Sequence, residues 1–211
     1  MIVIIADCSA LVSMVKQTHD ISHCKEVVHI VNLFTKQGTM EENNQIVNLH
    51  HLLDYDARKF TSAEVHLKNS LQNWVVSAGS IKLKTVLQKY IDLVQDHIQK
   101  MDDFFEEEDI GLISFSNRVM QALIEETEEK MALCKEIKIK DACLLASVQA
   151  INHYKISTYG TAAAFAKALD MEKQSMVFRE IEINEKQIDD RLSQLAEFEI
   201  NIRAKTTLSL N

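Results

Sequence analysis

Proline is absent from this chain, and glycine nearly so: only Gly38, Gly79, Gly111 and Gly160 interrupt it. These two residues supply most of the backbone conformations that tight turns demand, so a fold of many short strands is excluded. Long helices need few of either, and an all-α fold follows. There is no run of Lys or Arg, and the formal net charge is −8. Such a surface repels nucleic acid and anionic membranes, so neither is expected as a partner. No two of the four cysteines, Cys8, Cys24, Cys134 and Cys143, form a C-x-x-C pair. They read as free, mostly buried thiols in a reducing cytoplasm. A glycine-rich phosphate loop and a G-x-S-x-G nucleophile elbow are also missing. The opening "MIVIIADCSALVSMV" is apolar, but no base precedes it and Asp7 breaks it. It reads neither as a secretory signal nor as a membrane span, and a soluble, cytoplasmic protein is expected.

What is present suits one domain with an appendage: 211 residues, 46% of them hydrophobic. Residues 1–45 read as an N-terminal helical extension, in which Val27, Val28, Ile30, Val31 and Phe34 recur near helical spacing before Gly38. Within it His19 and His23 lie one helical turn apart, with Cys24 adjacent and His29 beyond. That spacing could present a zinc face, but no fourth ligand is visible, and a solvated polar face is the reading adopted. Residues 206–211 read as a tail.

Between these, residues 46–205 carry four long amphipathic stripes at alternating steps of three and four. They are Leu53, Ala57, Phe60, Glu64, Leu67, Leu71, Trp74; then Leu83, Leu87, Tyr90, Val94, His97, Met101, Phe104; then Leu145, Val148, Asn152, Ile156, Tyr159, Ala163, Ala166; then Phe178, Ile181, Glu185, Ile188, Leu192, Leu195. Gly79 separates the first two, with Ser80 as an N-cap, and a shorter helix, "NRVMQALIEETEEKMALCKEI", precedes the third. The acidic stretch "DDFFEEED" (102–109) reads as a solvated helix end. Each stripe is apolar except near its middle, where Glu64, Tyr90 with His97, Asn152, and Glu185 stand. Asp189, one turn after Glu185, can face the same point. A lone acid of this kind is more often a solvated edge residue. Four such intrusions on core sides instead suggest a shared internal polar layer, the arrangement by which bundle cores build metal sites.

The segments "TSAEVHLKNSL" (61–71), "LIEETEEKM" (123–131), "DACLLASVQAINHYKISTYGTAAAFAKALD" (141–170) and "NEKQIDDRLSQLA" (184–196) resemble the YciE/YciF-type ferritin-like family of bacterial stress-associated proteins. The similarity spans roughly residues 48–200, and its H-Y-x-I-x-x-Y-G-T core is specific. It implies a ferritin-like antiparallel four-helix bundle, with the additional short helix between the second and third long helices, built around two metal ions held mostly by carboxylates. Carried over by position, the first-helix glutamate is Glu64. The second-helix H-L-E-E is here Tyr90-Ile91-Asp92-Leu93, with His97 matching a position that is His in some relatives. The third-helix E-H-Y-E is Asn152-His153-Tyr154-Lys155, so both glutamates are gone. On the fourth helix Glu185 and Asp189 survive.

The resemblance therefore implies Glu64, His97, Glu185 and Asp189 as metal positions, and Tyr90, Asn152, His153 and Lys155 as the polar remnant of that site. A dinuclear site needs several anionic oxygens to offset its cations. An ammonium cannot coordinate and repels a cation, so Lys155 is expected to reach Glu64 or Glu185 and replace the metals' charge. His153 sits off the main stripe beside Ala146, Gln149, Ser157 and Gly160, which reads as a hydrogen-bonded structural His at a close helix contact, with Gly160 serving the same approach. The leading expectation is a non-enzymatic bundle with no cofactor and a salt-bridged core, forming a homodimer. The alternative is a protein that binds iron or manganese for redox or peroxide chemistry.

Overall fold

The structure, a computed structural model, describes residues 45–107 and 115–205. The chain divides into two units after Gln45, and everything below concerns the second. The expected N-terminal extension, its His19–Cys24–His29 segment and the tail 206–211 lie outside the described residues.

Five helices carry the fold: α1 Leu49–Ser77, α2 Ile81–Glu107, α3 Arg118–Leu133, α4 Ile137–Ala168 and α5 Glu172–Leu195. A single π-helical turn, Ala196–Ile200, leads from α5 into a last turn, α6 Asn201–Lys205. The described residues contain no strand and are all-α. None of its described helices is long and apolar enough to cross a membrane.

Side-chain caps fix several starts. Asn48 accepts from His51 N–H at 2.8 Å, Asn117 from Met120 N–H at 2.9 Å, and the Ser80 hydroxyl from Leu83 N–H at 3.3 Å. The α1–α2 corner is held from outside as well. The Asp141 carboxylate, on α4, accepts from the N–H groups of Gly79 and Ser80 at 2.7 and 2.9 Å. A Cβ on Gly79 would lie 2.4 Å from Ile137 Cγ1. Glycine is thus required there by the close approach of α4.

Cross-helix contacts give the directions. Tyr90 meets Glu185, Lys100 meets Glu180 and Glu107 meets Lys173, so α2 and α5 run antiparallel. Glu64 meets both Lys155 and Tyr159, Phe60 stacks on Tyr159, and Leu53 shares a cleft with Phe165, so α1 and α4 are antiparallel too. The corners Ala78–Ser80 and Leu169–Met171 reverse the chain within each sequential pair. One long connection, carrying α3, therefore joins the diagonal helices α2 and α4, which is the connectivity of ferritin-like bundles. Along that connection, Phe115 N–H bonds the Arg58 carbonyl at 2.9 Å and Asn117 Nδ2 bonds the Tyr154 hydroxyl at 3.0 Å.

The stripes on α1, α2 and α5 fall on the buried side throughout. On α4 the register differs. Lys155 is 2% exposed, whereas its neighbour Ile156 is only half-buried. The stripe takes two successive steps of four, Val148 to Asn152 to Ile156, whereas the inner line steps by three from Asn152 to Lys155 and then by four to Tyr159.

The apolar core is split. One cluster includes Leu67, Leu71, Trp74, Leu87, Val148 and Leu192; the other includes Leu53, Phe60, Met101, Phe104, Tyr159 and Phe178. Each such side chain, fully buried, is worth about 1.5–3 kcal/mol. On every long helix the sequence passes from one cluster to the other at the same height. The residues at that crossing are Glu64, His97, Asn152 with Lys155, and Glu185.

Candidate functional site: a buried ionic cluster

Glu64, Tyr90, His97, Asn152 and Glu185 have no solvent exposure, and Tyr159 is 2% exposed. Burying ionised groups is tolerable only where partners replace water. Lys155 provides the central contact. Its Nζ lies 2.5 Å from Glu185 Oε1 and 2.8 Å from Glu64 Oε2, with the Tyr90 ring centroid 5.0 Å away. Glu185 Oε2 accepts from the Tyr90 hydroxyl and from Asn152 Nδ2, each at 2.6 Å. Asn152 Nδ2 also bonds the Glu185 main-chain carbonyl at 3.0 Å. Glu64 Oε1 accepts from the Tyr159 hydroxyl at 2.6 Å. His97 Nδ1 stands 3.4 Å from Glu185 Oε1 and 4.0 Å from Glu64 Oε2, and neither ring nitrogen makes a hydrogen bond among the described residues.

The protonation states follow from this packing. Burial pushes the Glu64 carboxyl up; Lys155 opposes the rise and the nearby Glu185 reinforces it. Burial alone would lower Lys155, but Glu185 and Glu64 more than reverse that, so it stays an ammonium. Burial, then Lys155 and Lys100, bring His97 down to about 2, leaving a neutral imidazole. Burial followed by Glu185 raises Tyr90, and burial followed by Glu64 raises Tyr159, so both phenols remain donors. One ammonium thus lies between two buried carboxyl groups, and burial favours the protonated form of Glu64.

Two of the residues expected here lie elsewhere. Asp189 does not join the cluster. Its carboxylate is 22% exposed and contacts His153 Nε2 at 3.0 Å, with Gln149 Nε2 at 3.4 Å. The buried line on α5 steps from Glu185 by three to Ile188, which turns Asp189 aside. His153 is not in the polar core either. Its side chain is 64% exposed, because one residue beyond Asn152 is a rotation of about 100° around the helix. It pairs instead with Asp189 of α5 at the surface. Gly160 does mark a close approach: a Cβ there would lie 3.1 Å from the Glu182 carboxylate. That carboxylate is buried on α5 and held by Lys186 at 2.6 Å and by Arg179. The sequence reading missed the role of Tyr159. Its signal was available, since a phenol on an otherwise apolar stripe needs a partner for its hydroxyl.

As a donor set, two carboxylates and a neutral imidazole with an ammonium between them do not suit a pair of divalent cations. Among the described residues, no three of His, Cys, Asp and Glu are placed to hold one metal ion.

Residues 48–205 match the family described as "Domain of unknown function (DUF892)". The chain belongs to the DUF892 family. Its resemblance to YciE/YciF-type proteins holds in direct comparison. Protein YciF of Escherichia coli (strain K12) is 28% identical over 145 residues, 68% of this chain and 87% of that protein. The crystal structure of the E. coli stress protein YciF superposes with a TM-score of 0.69 at 26% identity, over 74% of this chain and 99% of that one. YcfI from Rhodopseudomonas palustris gives the same TM-score, 0.69, at 23% identity over 72% of this chain and 96% of its own, and shares the fold. This DUF892 member is therefore a helical bundle of the YciF type.

Proposed function

We propose that this DUF892 protein is a non-enzymatic bundle in which a salt-bridged polar core stands in place of a dinuclear metal centre, and that its role is structural or interactive in stress. The observation that carries the reading is Lys155: its ammonium lies within 2.8 Å of carboxylates from two other helices, where the family resemblance implies cations. Its description as a stress protein belongs to YciF, and at 26% identity that lends support to the physiological half of the reading. The proposal includes a homodimer, favoured by exposed apolar side chains such as Val76, Ile81 and Leu133, at 79%, 81% and 81%. Sedimentation velocity that finds only monomer would remove that part.

Elemental analysis after purification without chelator tests the core of the proposal. Iron and manganese well below one atom per chain are expected, and two per chain would defeat it. A constructive test complements this. Leu93→Glu, Asn152→Glu and Lys155→Glu together restore the acids the family pattern carries, and should bind iron or manganese far more tightly than the natural chain.

A further inference from the structure

Two thiols away from the polar core have no assigned role. Cys134 is the residue after α3, and Cys143 lies in the second turn of α4. Only Cys134, Lys135 and Glu136 separate the two helices. The Cys134 side chain folds back along α3, with its Sγ 3.2 Å from the Lys130 carbonyl. That sets the sulfur one turn up the helix, at the height where α4 packs alongside. Cys143 is packed against the core cluster containing Met131, and its thiol lies within hydrogen-bonding reach of Cys134. Both cysteines are free and part-exposed. Burial pushes the Cys143 thiol up, and Cys134 and Lys130 are both close enough to act on it.

We propose that Cys134 and Cys143 form a reversible dithiol–disulfide site, oxidised by peroxides, that ties α3 to α4. One thiolate attacks a peroxide oxygen. The O–O bond breaks, hydroxide leaves as water after protonation, and a sulfenic acid remains on that sulfur. The second thiolate attacks the sulfenic sulfur. The S–S bond forms, the S–O bond breaks, and a second water leaves. Two electrons pass from the thiols to the peroxide, and a dithiol reductant returns them. Both sulfurs are on one hairpin, so the bridge forms within a chain, where the local thiol concentration far exceeds that of a second molecule. Its position links it to the rest of the fold. Asp141, two residues before Cys143, holds the α1–α2 corner through Gly79 and Ser80, so fixing the start of α4 also fixes that corner.

The test uses the full-length protein, hydrogen peroxide, and tryptic mapping without reduction after alkylation. Trypsin cuts after Lys135, Lys138 and Lys140, so the bridge would hold Met131–Lys135 to Asp141–Lys155. The expected result is this linked pair, two hydrogens lighter than the separate peptides and released by dithiothreitol, with two of the four thiols lost. Cys143→Ser should abolish the linked pair and leave a sulfenic acid on Cys134 that dimedone traps. Peroxide treatment that yields separate sulfinic acids on both residues would overturn the proposal. So would links made through Cys8 or Cys24 or between chains, and so would no oxidation at either thiol.

Discussion

At the residue scale, Lys155 decides the balance of the cluster. Truncating one partner of a buried pair strands charge, so Lys155→Ala should destabilise by about 3–5 kcal/mol, read from urea or thermal unfolding. A loss below about 1 kcal/mol would indicate a solvated amine. Adding Glu64→Gln and Glu185→Gln to that variant should recover part of the loss, because the stranded anions are gone. The acid and the imidazole respond to pH in opposite directions. The folded chain holds the Glu64 proton above the carboxyl's ordinary value of 4.5, so this contribution is complete below that pH and is lost as pH rises through the folded value. His97 is lowered from 6.5 to about 2, so its contribution is complete above 6.5 and is lost as pH falls toward 2. Unfolding of Glu64→Gln across a pH series should therefore show its stability relative to the natural chain improving as pH rises above 4.5. His97→Gln should show the reverse trend, gaining relative stability as pH falls below 6.5.

At the element scale, helix existence and burial side were readable because the stripes of α1, α2 and α5 are long and nearly uninterrupted. The polar layer was readable because Glu64, His97, Asn152 and Glu185 each fall on the stripe of a different long helix. What escaped was fine angular placement. Sequence spacing lets Glu185 and Asp189 share a face, but the helix turns only one of them fully inward, and a one-residue offset separates buried Asn152 from exposed His153. Contacts between distant elements were also invisible, above all Asp141 reaching Gly79 and Ser80 across more than sixty residues. That corner yields its own prediction. Gly79→Ala drives a methyl into Ile137, and should destabilise by about 1–3 kcal/mol despite alanine's better backbone propensity. Calorimetry showing an unchanged melting temperature would mean that the start of α4 yields readily.

At the scale of the whole molecule, the described residues bury two apolar clusters with a charged layer between them. Dialysis against a strong chelator should leave the melting temperature unchanged; a fall of several degrees would mean that a bound metal contributes to the fold. The layer has a further consequence for how the helices can be arranged. Apolar stripes alone tolerate sliding, since one leucine resembles the next a turn away. A single amine gripped by acids from two neighbours does not. Shift α4 by a turn, and that amine is thrust among leucines while both acids lose their cation. Every offset but one is thus heavily penalised, and the charged layer works as a detent that fixes each rod lengthwise against its neighbours.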